Sequence, residues 1–180
     1  MFRWAVLVVV VGALAVAVVE LRQRNQLDSL RASLDVLTHF DVEWSSDDMS
    51  KTRAAAASSL LQLRPSQDVD DVLDFFDQIA YLVERGAIDE DIAWYRFYWP
   101  MANYWFASQD YVSQVRRDDP DTWSNLDLVM KRLVAVELNR RKHTSPDGKP
   151  TAEQSRRFFN DEVGAGQCSD DSDEAQRTPL

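Results

Sequence analysis

The sequence predicts an all-α protein with one N-terminal transmembrane helix, a compact bundle of four or five helices and a disordered acidic tail. Three observations lead to this prediction. The first residues are almost all apolar, and the middle of the chain carries apolar residues at intervals of three and four. The last part is rich in polar and acidic residues. The corresponding divisions are residues 1–22, 23–143 and 144–180.

The N-terminal apolar run extends from Trp4 to Val19 without a charged residue. At about 1.5 Å per residue, a helix of this run and its apolar neighbours approaches the thickness of the hydrocarbon core. An uncleaved single-span anchor is therefore predicted. The alternative is a signal peptide cleaved after Ala17, where small residues precede the bond. The apolar run continues beyond that point, which favours the anchor.

Basic residues next to this run set its expected orientation. Arg22, Arg24 and Arg31 follow the run, whereas Arg3 and the N-terminus precede it. Positive residues are retained on the cytoplasmic side of a membrane span. The sequence therefore predicts a single-pass protein of the plasma membrane with a cytoplasmic C-terminal domain.

A leucine stripe follows the predicted anchor, at Leu27, Leu30, Leu34 and Leu37. Its spacing is that of the a and d positions of a coiled coil, which would allow self-association or binding of a protein partner. The stripe covers only two heptads, fewer than a coiled coil usually needs. Packing on the protein's own domain is therefore the favoured interpretation.

The next predicted helix begins at Ser45 and Ser46 and ends near Leu63. The consecutive alanines 54–57 favour helix, and their small side chains would let a neighbouring helix approach closely. Arg53 directly precedes them in a segment expected to be buried. An acidic partner or an aromatic ring is therefore expected to hold its charge.

Two antiparallel core helices form the predicted centre of the domain. The first has an apolar face from Val69 to Val83, with Asp68 as its expected cap and Gly86 as its left-handed stop. The second is expected to be capped by Asp89 and to run from about Glu90 to Arg117. It is apolar on more than one face, which is typical of a helix surrounded by others.

Pro100 lies inside the second core helix, among aromatic residues. Because proline removes a backbone donor, it is expected to bend the helix. The aromatic cluster is interpreted as core packing. The alternative interpretation is a ligand pocket beside Pro100, in which Arg96 and the tyrosines supply the polar groups.

A further helix is predicted from about Pro120 to Arg141, with a basic end at Arg140, Arg141 and Lys142. These cations are interpreted as complementing the helix C-terminus, and contact with anionic lipid headgroups is the alternative. After Thr144 a short helix is possible over residues 151–161. Beyond that, the polar composition predicts disorder.

Several motifs resemble those of one known family. They are Phe40, Met49 and Arg53, the runs Val72–Asp77 and Leu82–Ile88, and Tyr104, Trp105 and Arg116. Through them, the stretch from about Leu34 to Val136 resembles domain-of-unknown-function family 4760, uncharacterised and mostly bacterial membrane-anchored helical proteins. Members usually carry Glu where Asp77 stands. The resemblance implies a helical fold and a membrane setting, but no activity and no catalytic residues.

Composition and motifs argue against most kinds of chemistry. The net charge of −10 disfavours a nucleic-acid partner, and the single cysteine, Cys168, permits no internal disulfide. No zinc, di-iron or phosphate-loop motif occurs, so no cofactor or metal is predicted. The acids Asp70, Asp74, Asp77 and Glu84 are interpreted as a solvated helix face rather than a cation site.

The predicted function is a non-enzymatic interaction or regulatory module, and no catalytic residue is assigned. The alternative is a small-ligand sensor or an enzyme that uses the pocket beside Pro100. Arg53 and Arg96 are the two arginines expected in the domain core. The acids expected to pair with them are Asp74, Asp77 and Glu84. The candidate structural or interaction residues are Arg53, Asp74, Phe75, Phe76, Asp77, Gly86, Arg96, Tyr104 and Trp105.

Overall fold

A computed structural model of the chain describes Glu20 and residues 31–140 and 145–177, with side chains up to residue 166. These residues form helices and no strand, which confirms the predicted all-α class. We label the helices α1 (residues 31–44), α2 (Asp47–Leu61), α3 (Gln67–Glu84), α4 (Glu90–Ala107), α5 (Gln109–Val115), α6 (Ser124–Arg140) and α7 (Ala152–Arg177).

The predicted membrane anchor, residues 1–22, lies outside the described residues except for Glu20. Among the residues that are described, no helix combines the length and the apolar character that crossing a bilayer requires. Leu27 and Leu30 of the leucine stripe are also outside the description. Of the other two, Leu37 is 1% exposed in the core, whereas Leu34 is 51% exposed.

α3 is the central helix of the domain, and its buried face contacts α2, α4 and α6. Phe75 and Phe76 lie on this face, with ring centroids 5.2 and 5.0 Å from that of Trp44 in α1. Burying a large apolar side chain contributes roughly 1.5–3 kcal/mol, so this aromatic cluster is a main source of stability.

Gly86 ends α3 as predicted, with a φ of +68°. The Ala87 amide donates to the Leu82 carbonyl at 2.9 Å and the Gly86 amide to the Val83 carbonyl at 3.0 Å. This pair of bonds is the Schellman arrangement, which needs a left-handed residue after the helix. Asp89 then caps α4, because its Oδ1 accepts from the amides of Asp91 and Ile92.

Two predicted boundaries of the two core helices are wrong. α3 begins at Gln67 after Ser66, and the Asp68 carboxylate accepts from the Ser66 hydroxyl rather than capping the helix. The second core helix is divided at Ser108 into α4 and α5. The Ser108 hydroxyl donates to the Tyr104 carbonyl at 2.8 Å, a local side-chain bond that competes with helix continuation.

α7 replaces most of the predicted disordered tail. It packs along α2, with Phe159 buried and its ring centroid 5.3 Å from that of Tyr104. A Cβ at Gly166 would clash with the Cβ of Ala54. The alanines of α2 therefore admit a close neighbour, as predicted, and this contact orders a segment whose composition alone indicates disorder.

Candidate functional site

Two acids of α3 bind the start of α6, and we call Asp74, Asp77, Trp123 and Asn125 the α6 anchor. Asp74 and Asp77 are three residues apart and therefore lie on one face of α3. The Trp123 Nε1 donates to Asp74 Oδ1 at 2.7 Å. Asp77 accepts from Asn125 Nδ2 at 2.9 Å and from the Leu126 amide at 2.8 Å.

This geometry makes Asp77 a cap supplied by another helix. The first amides of an α-helix have no partner within the helix, and the helix dipole favours a negative charge there. One oxygen of Asp77 satisfies the Leu126 amide and the other holds Asn125. Asp77 thus contacts backbone and side-chain donors of α6 directly.

Arg116 also binds the connection that leads into α6. Its Nε and Nη2 donate at 2.9 Å to the carbonyls of Thr122 and Trp123. Trp123 itself has a φ of +53°, an unfavourable conformation for a side chain of this size. These bonds and the α6 anchor hold it there. Trp105 is buried in α4, and its ring lies 5.7 Å from the Arg116 guanidinium carbon.

A second polar group, the Arg53 cluster, consists of Arg53, Trp44, Tyr104 and Glu162. Arg53 Nη1 donates to the Trp44 carbonyl at 3.1 Å, and its guanidinium carbon lies 4.3 Å from the Trp44 ring centroid. Its Nε is 3.0 Å from Glu162 Oε2, as an ion pair without an aligned hydrogen bond. The Tyr104 hydroxyl donates to the Arg53 carbonyl at 3.0 Å.

Burial governs the acid–base behaviour of the Arg53 cluster. It raises the pKa of Glu162, an effect that the neighbouring Arg53 opposes and Asp161 reinforces. It also raises the pKa of Tyr104 far above the ordinary value for a phenol. Tyr104 is therefore a neutral hydrogen-bond donor at physiological pH, which disfavours a role as a general base.

The predicted partners of the two arginines differ from those in the structure. Arg53 pairs with Glu162 of α7, a residue that the sequence assigned to the disordered tail. Arg96 is exposed on the side of α4 that meets α1, where it pairs with Asp41. Glu84 instead pairs with Arg132 of α6. The rotation of each helix about its axis decides these pairings, and helical spacing does not fix that rotation between helices.

The other candidate residues are part of the scaffold. Phe75 and Phe76 belong to the central aromatic cluster, and Gly86 forms the turn after α3. At the basic end of α6, Arg140 pairs with Asp91 at 2.7 Å and lies 4.7 Å from the Trp94 ring centroid. Arg141 and Lys142, which complete the predicted basic end, lie outside the described residues.

Two of the surface cavities in the described part of the chain bear on the predicted ligand pocket. One, of about 390 Å³, is bordered by Phe40, Asp77, Gln78, Tyr81, Leu82 and Asn125. The other, of about 340 Å³, is bordered by Leu60, Leu63, Pro65, Ala107, Asp110, Tyr111 and Gln114. Pro100 borders neither of them, and α4 continues through it without interruption. Within the described ranges, no three His, Cys, Asp or Glu side chains are grouped as a metal site requires.

Sequence reasoning missed three polar residues that the fold uses. Glu162 belongs to the Arg53 cluster, and Asn125 to the α6 anchor. Glu137 is buried in α6, where its Oε2 accepts from Trp94 Nε1 at 3.1 Å. The position of Glu137 on the apolar face of α6 was the sequence signal that could have identified it as buried. Glu162 and Asn125 lie too far in sequence from their partners for the sequence to give such a signal.

The comparisons assign the chain to a family. A family model described as "Domain of unknown function (DUF4760)" matches residues 7–133, more than half of the chain. The chain belongs to the DUF4760 family. The matched region of this DUF4760 protein includes the α6 anchor and ends within α6, so α7 and Glu162 lie beyond it. No curated protein and no solved structure matches the chain.

Proposed function

We propose that this DUF4760 protein is a non-enzymatic interaction or regulatory module, tethered to the plasma membrane by residues 1–22 with its helical domain in the cytoplasm. One observation carries the proposal: the charged residues most suited to chemistry are engaged in holding helices together. Asp77 is the clearest case, since both of its oxygens accept hydrogen bonds from the start of α6.

The same holds for two other charged candidates. Asp74 binds the Trp123 indole, and Arg53 binds the Trp44 carbonyl and Glu162. A general acid or base must reach the reacting group of a substrate. These side chains reach neighbouring helices instead, which supports a role in the scaffold.

The surface offers groups for binding rather than for catalysis. Val42 and Leu63 are 66% and 86% exposed, and Tyr81 is exposed at the edge of the larger cavity. Leu63 and Tyr81 each border a cavity, and exposed apolar groups in such a place are suited to anchoring a protein partner. They support the interaction function.

The membrane tether is supported by the apolar run from Trp4 to Val19 and by the basic residues after it. A tether raises the effective concentration of the domain toward partners in the same membrane. A weak surface contact then suffices for a regulatory interaction. This is the role we assign to the anchor.

Photo-crosslinking in native membranes tests the proposal. A photoreactive amino acid is placed at Tyr81 or Leu63 of the full-length chain, with Asp118 as an exposed control position. We expect a defined partner at one of the first two positions and none at the control. A chain that stays monomeric and gives no crosslinked protein at any position would contradict the interaction function.

Two further readouts separate the parts of the proposal. Deletion of residues 1–22 is expected to move the protein from the membrane fraction to the soluble fraction. A C-terminal reporter that is active only outside the cytoplasm would contradict the orientation. A reproducible shift of the melting temperature with one class of metabolites would favour the alternative of a small-ligand sensor or enzyme.

A further inference from the structure

Leu63 has an unusual conformation directly after α2. Its φ is +55°, in the left-handed region that glycine or asparagine usually occupies at this position of a helix end. The Leu63 amide donates to the Leu60 carbonyl at 3.1 Å and the Arg64 amide to the Ser59 carbonyl at 2.9 Å. A leucine is strained in this turn, and at 86% exposure it gains little burial in compensation.

Leu63 borders the smaller cavity, of about 340 Å³, where the end of α2 meets the junction of α4 and α5. Leu60, Pro65 and Ala107 supply apolar lining. Tyr111 and Gln114 of α5 add groups able to form hydrogen bonds. An apolar recess with a few polar groups and an exposed leucine at its edge is suited to receiving one side chain of a partner.

Among the residues that line this cavity, the charged one is an acid, and the exposed Arg64 lies next to the cavity, between Leu63 and Pro65 in the chain. Asp110 is the lining acid, and Asp70 lies beside Tyr111. The Asp70 Oδ1 is covered by protein and accepts no hydrogen bond from the described residues. Burial raises the pKa of Asp70, with Asp74 and Asp71 adding to the effect and Tyr111 opposing it. A cationic donor on a partner would pair with the exposed carboxylate of Asp110.

We propose that Leu63 and this cavity form a docking site for a segment of a partner protein that presents an apolar side chain flanked by Lys or Arg. The inference rests on the proposed interaction function and assigns it to a particular binding surface. Charge decides between occupants: a second copy carries the same net charge of −10, and anionic lipid headgroups would also be repelled. A basic segment is the complementary partner.

Leu63→Asn tests whether the leucine serves binding. Asparagine tolerates the left-handed conformation better than leucine does, so we expect the melting temperature to stay equal or rise. A leucine retained for packing would instead give a lower melting temperature. Leu63→Gly is a second variant with the same expectation. Leu128→Asn removes an exposed leucine of α6 that does not border the cavity and serves as the control.

The binding probe is a random peptide library displayed on phage and selected against the full-length chain in detergent micelles. Synthetic copies of the enriched peptides are then measured by fluorescence anisotropy. We expect them to carry an apolar residue flanked by Lys or Arg. Their affinity should fall by about tenfold or more with Leu63→Asn. It should also weaken with Asp110→Asn and with added salt, and be unchanged with Leu128→Asn.

Several results would overturn the docking site. They are the absence of any enriched peptide, enriched peptides that bind Leu63→Asn with wild-type affinity, and equally tight peptides without basic residues. Self-association that is lost with Leu63→Asn would name a second copy as the occupant and would also contradict the proposal. A partner crosslinked only at Tyr81 would leave the interaction function intact while excluding this site.

Discussion

Two helix contacts in this molecule are built in opposite ways. α6 is held to α3 by directed hydrogen bonds, in which Asp74 and Asp77 accept from three donors at its start. α7 is held to α2 by close approach of small residues, Gly166 against Ala54, and by the ion pair of Arg53 with Glu162. The α3–α6 contact fixes the position of α6 through the geometry of its hydrogen bonds. The α2–α7 contact fixes the position of α7 through complementary shape and charge.

The difference teaches where charged residues are needed. At the α3–α6 contact, the acids satisfy backbone and side-chain groups that would otherwise lack partners, so each acid has a defined structural task. At the α2–α7 contact, Arg53 and Glu162 offset each other's charge, and Arg53 also donates to the Trp44 carbonyl. Such a pair can be replaced as a unit, whereas removing one member leaves the other buried and unpaired.

The largest effect is expected for Arg53→Met. It leaves Glu162 of α7 without its counter-charge. The two side chains are 12% and 13% exposed, and breaking such a largely buried pair should cost about 3 kcal/mol of unfolding free energy. The measurement is urea unfolding of the full-length chain in detergent micelles at neutral pH, followed by circular dichroism.

The double variant Arg53→Met with Glu162→Met is the matched control. Both charges are then absent, so the stability should return to within about 1 kcal/mol of the wild type. A double variant as unstable as Arg53→Met alone would show that the arginine acts through Trp44 rather than through the ion pair.

The next effect is expected for Asp77→Ala, which leaves the Leu126 amide and the Asn125 side chain without an acceptor. Loss of a cap together with an unsatisfied buried donor should lower the unfolding free energy by about 2 kcal/mol. Asp71→Ala removes an exposed acid from the same helix and should change it by less than about 0.5 kcal/mol. Equal losses in the two variants would refute the capping role.

Two glycines of α7 should respond to alanine with opposite signs. Gly166→Ala places a methyl group against Ala54 and should cost about 1–2 kcal/mol through overpacking. Gly164→Ala meets nothing within 4 Å and should add up to about 1 kcal/mol through helix propensity. Thermal unfolding of both variants compares them. Stabilisation by both would mean that α7 does not approach α2 closely.

The smallest effect is expected for the pH dependence of the unfolding free energy. Because burial raises the folded-state pKa of Glu162 above its unfolded value, the folded state binds the proton more readily. The stability that this group contributes is full below the unfolded pKa, and it is lost as the pH rises through the folded pKa. The unfolding free energy of the wild type minus that of Glu162→Gln, both measured by urea unfolding, should therefore decrease as the pH rises across that window. An increase of this difference with pH would show that the attraction between Arg53 and Glu162 outweighs the effect of burial.

Local features of the fold were predictable from the sequence. Gly86 and Asp89 act within a few residues of their own positions, so their roles as stop and cap follow from local rules. The close approach allowed by the alanines of α2 was also predicted. Ser108 was missed, because whether a serine hydroxyl interrupts a helix depends on packing rather than on spacing.

The partners of the charged residues were not predictable in the same way. Asp77 meets Asn125, and Arg53 meets Glu162, only after separate helices have packed. Periodicity gives the face of a residue within its own helix, but not which helix covers that face. The extent of α7 was missed for the same reason, since its order comes from contact with α2 and Tyr104.

The central claim is that Asp74 and Asp77, the acids of the family motif, hold α6 against α3. Crosslinking of Asp77→Ala in native membranes, normalised to the folded fraction, tests this most directly. The account predicts a less stable protein whose folded molecules crosslink to the partner at the wild-type yield. A folded Asp77→Ala protein of wild-type stability that no longer crosslinks would contradict it.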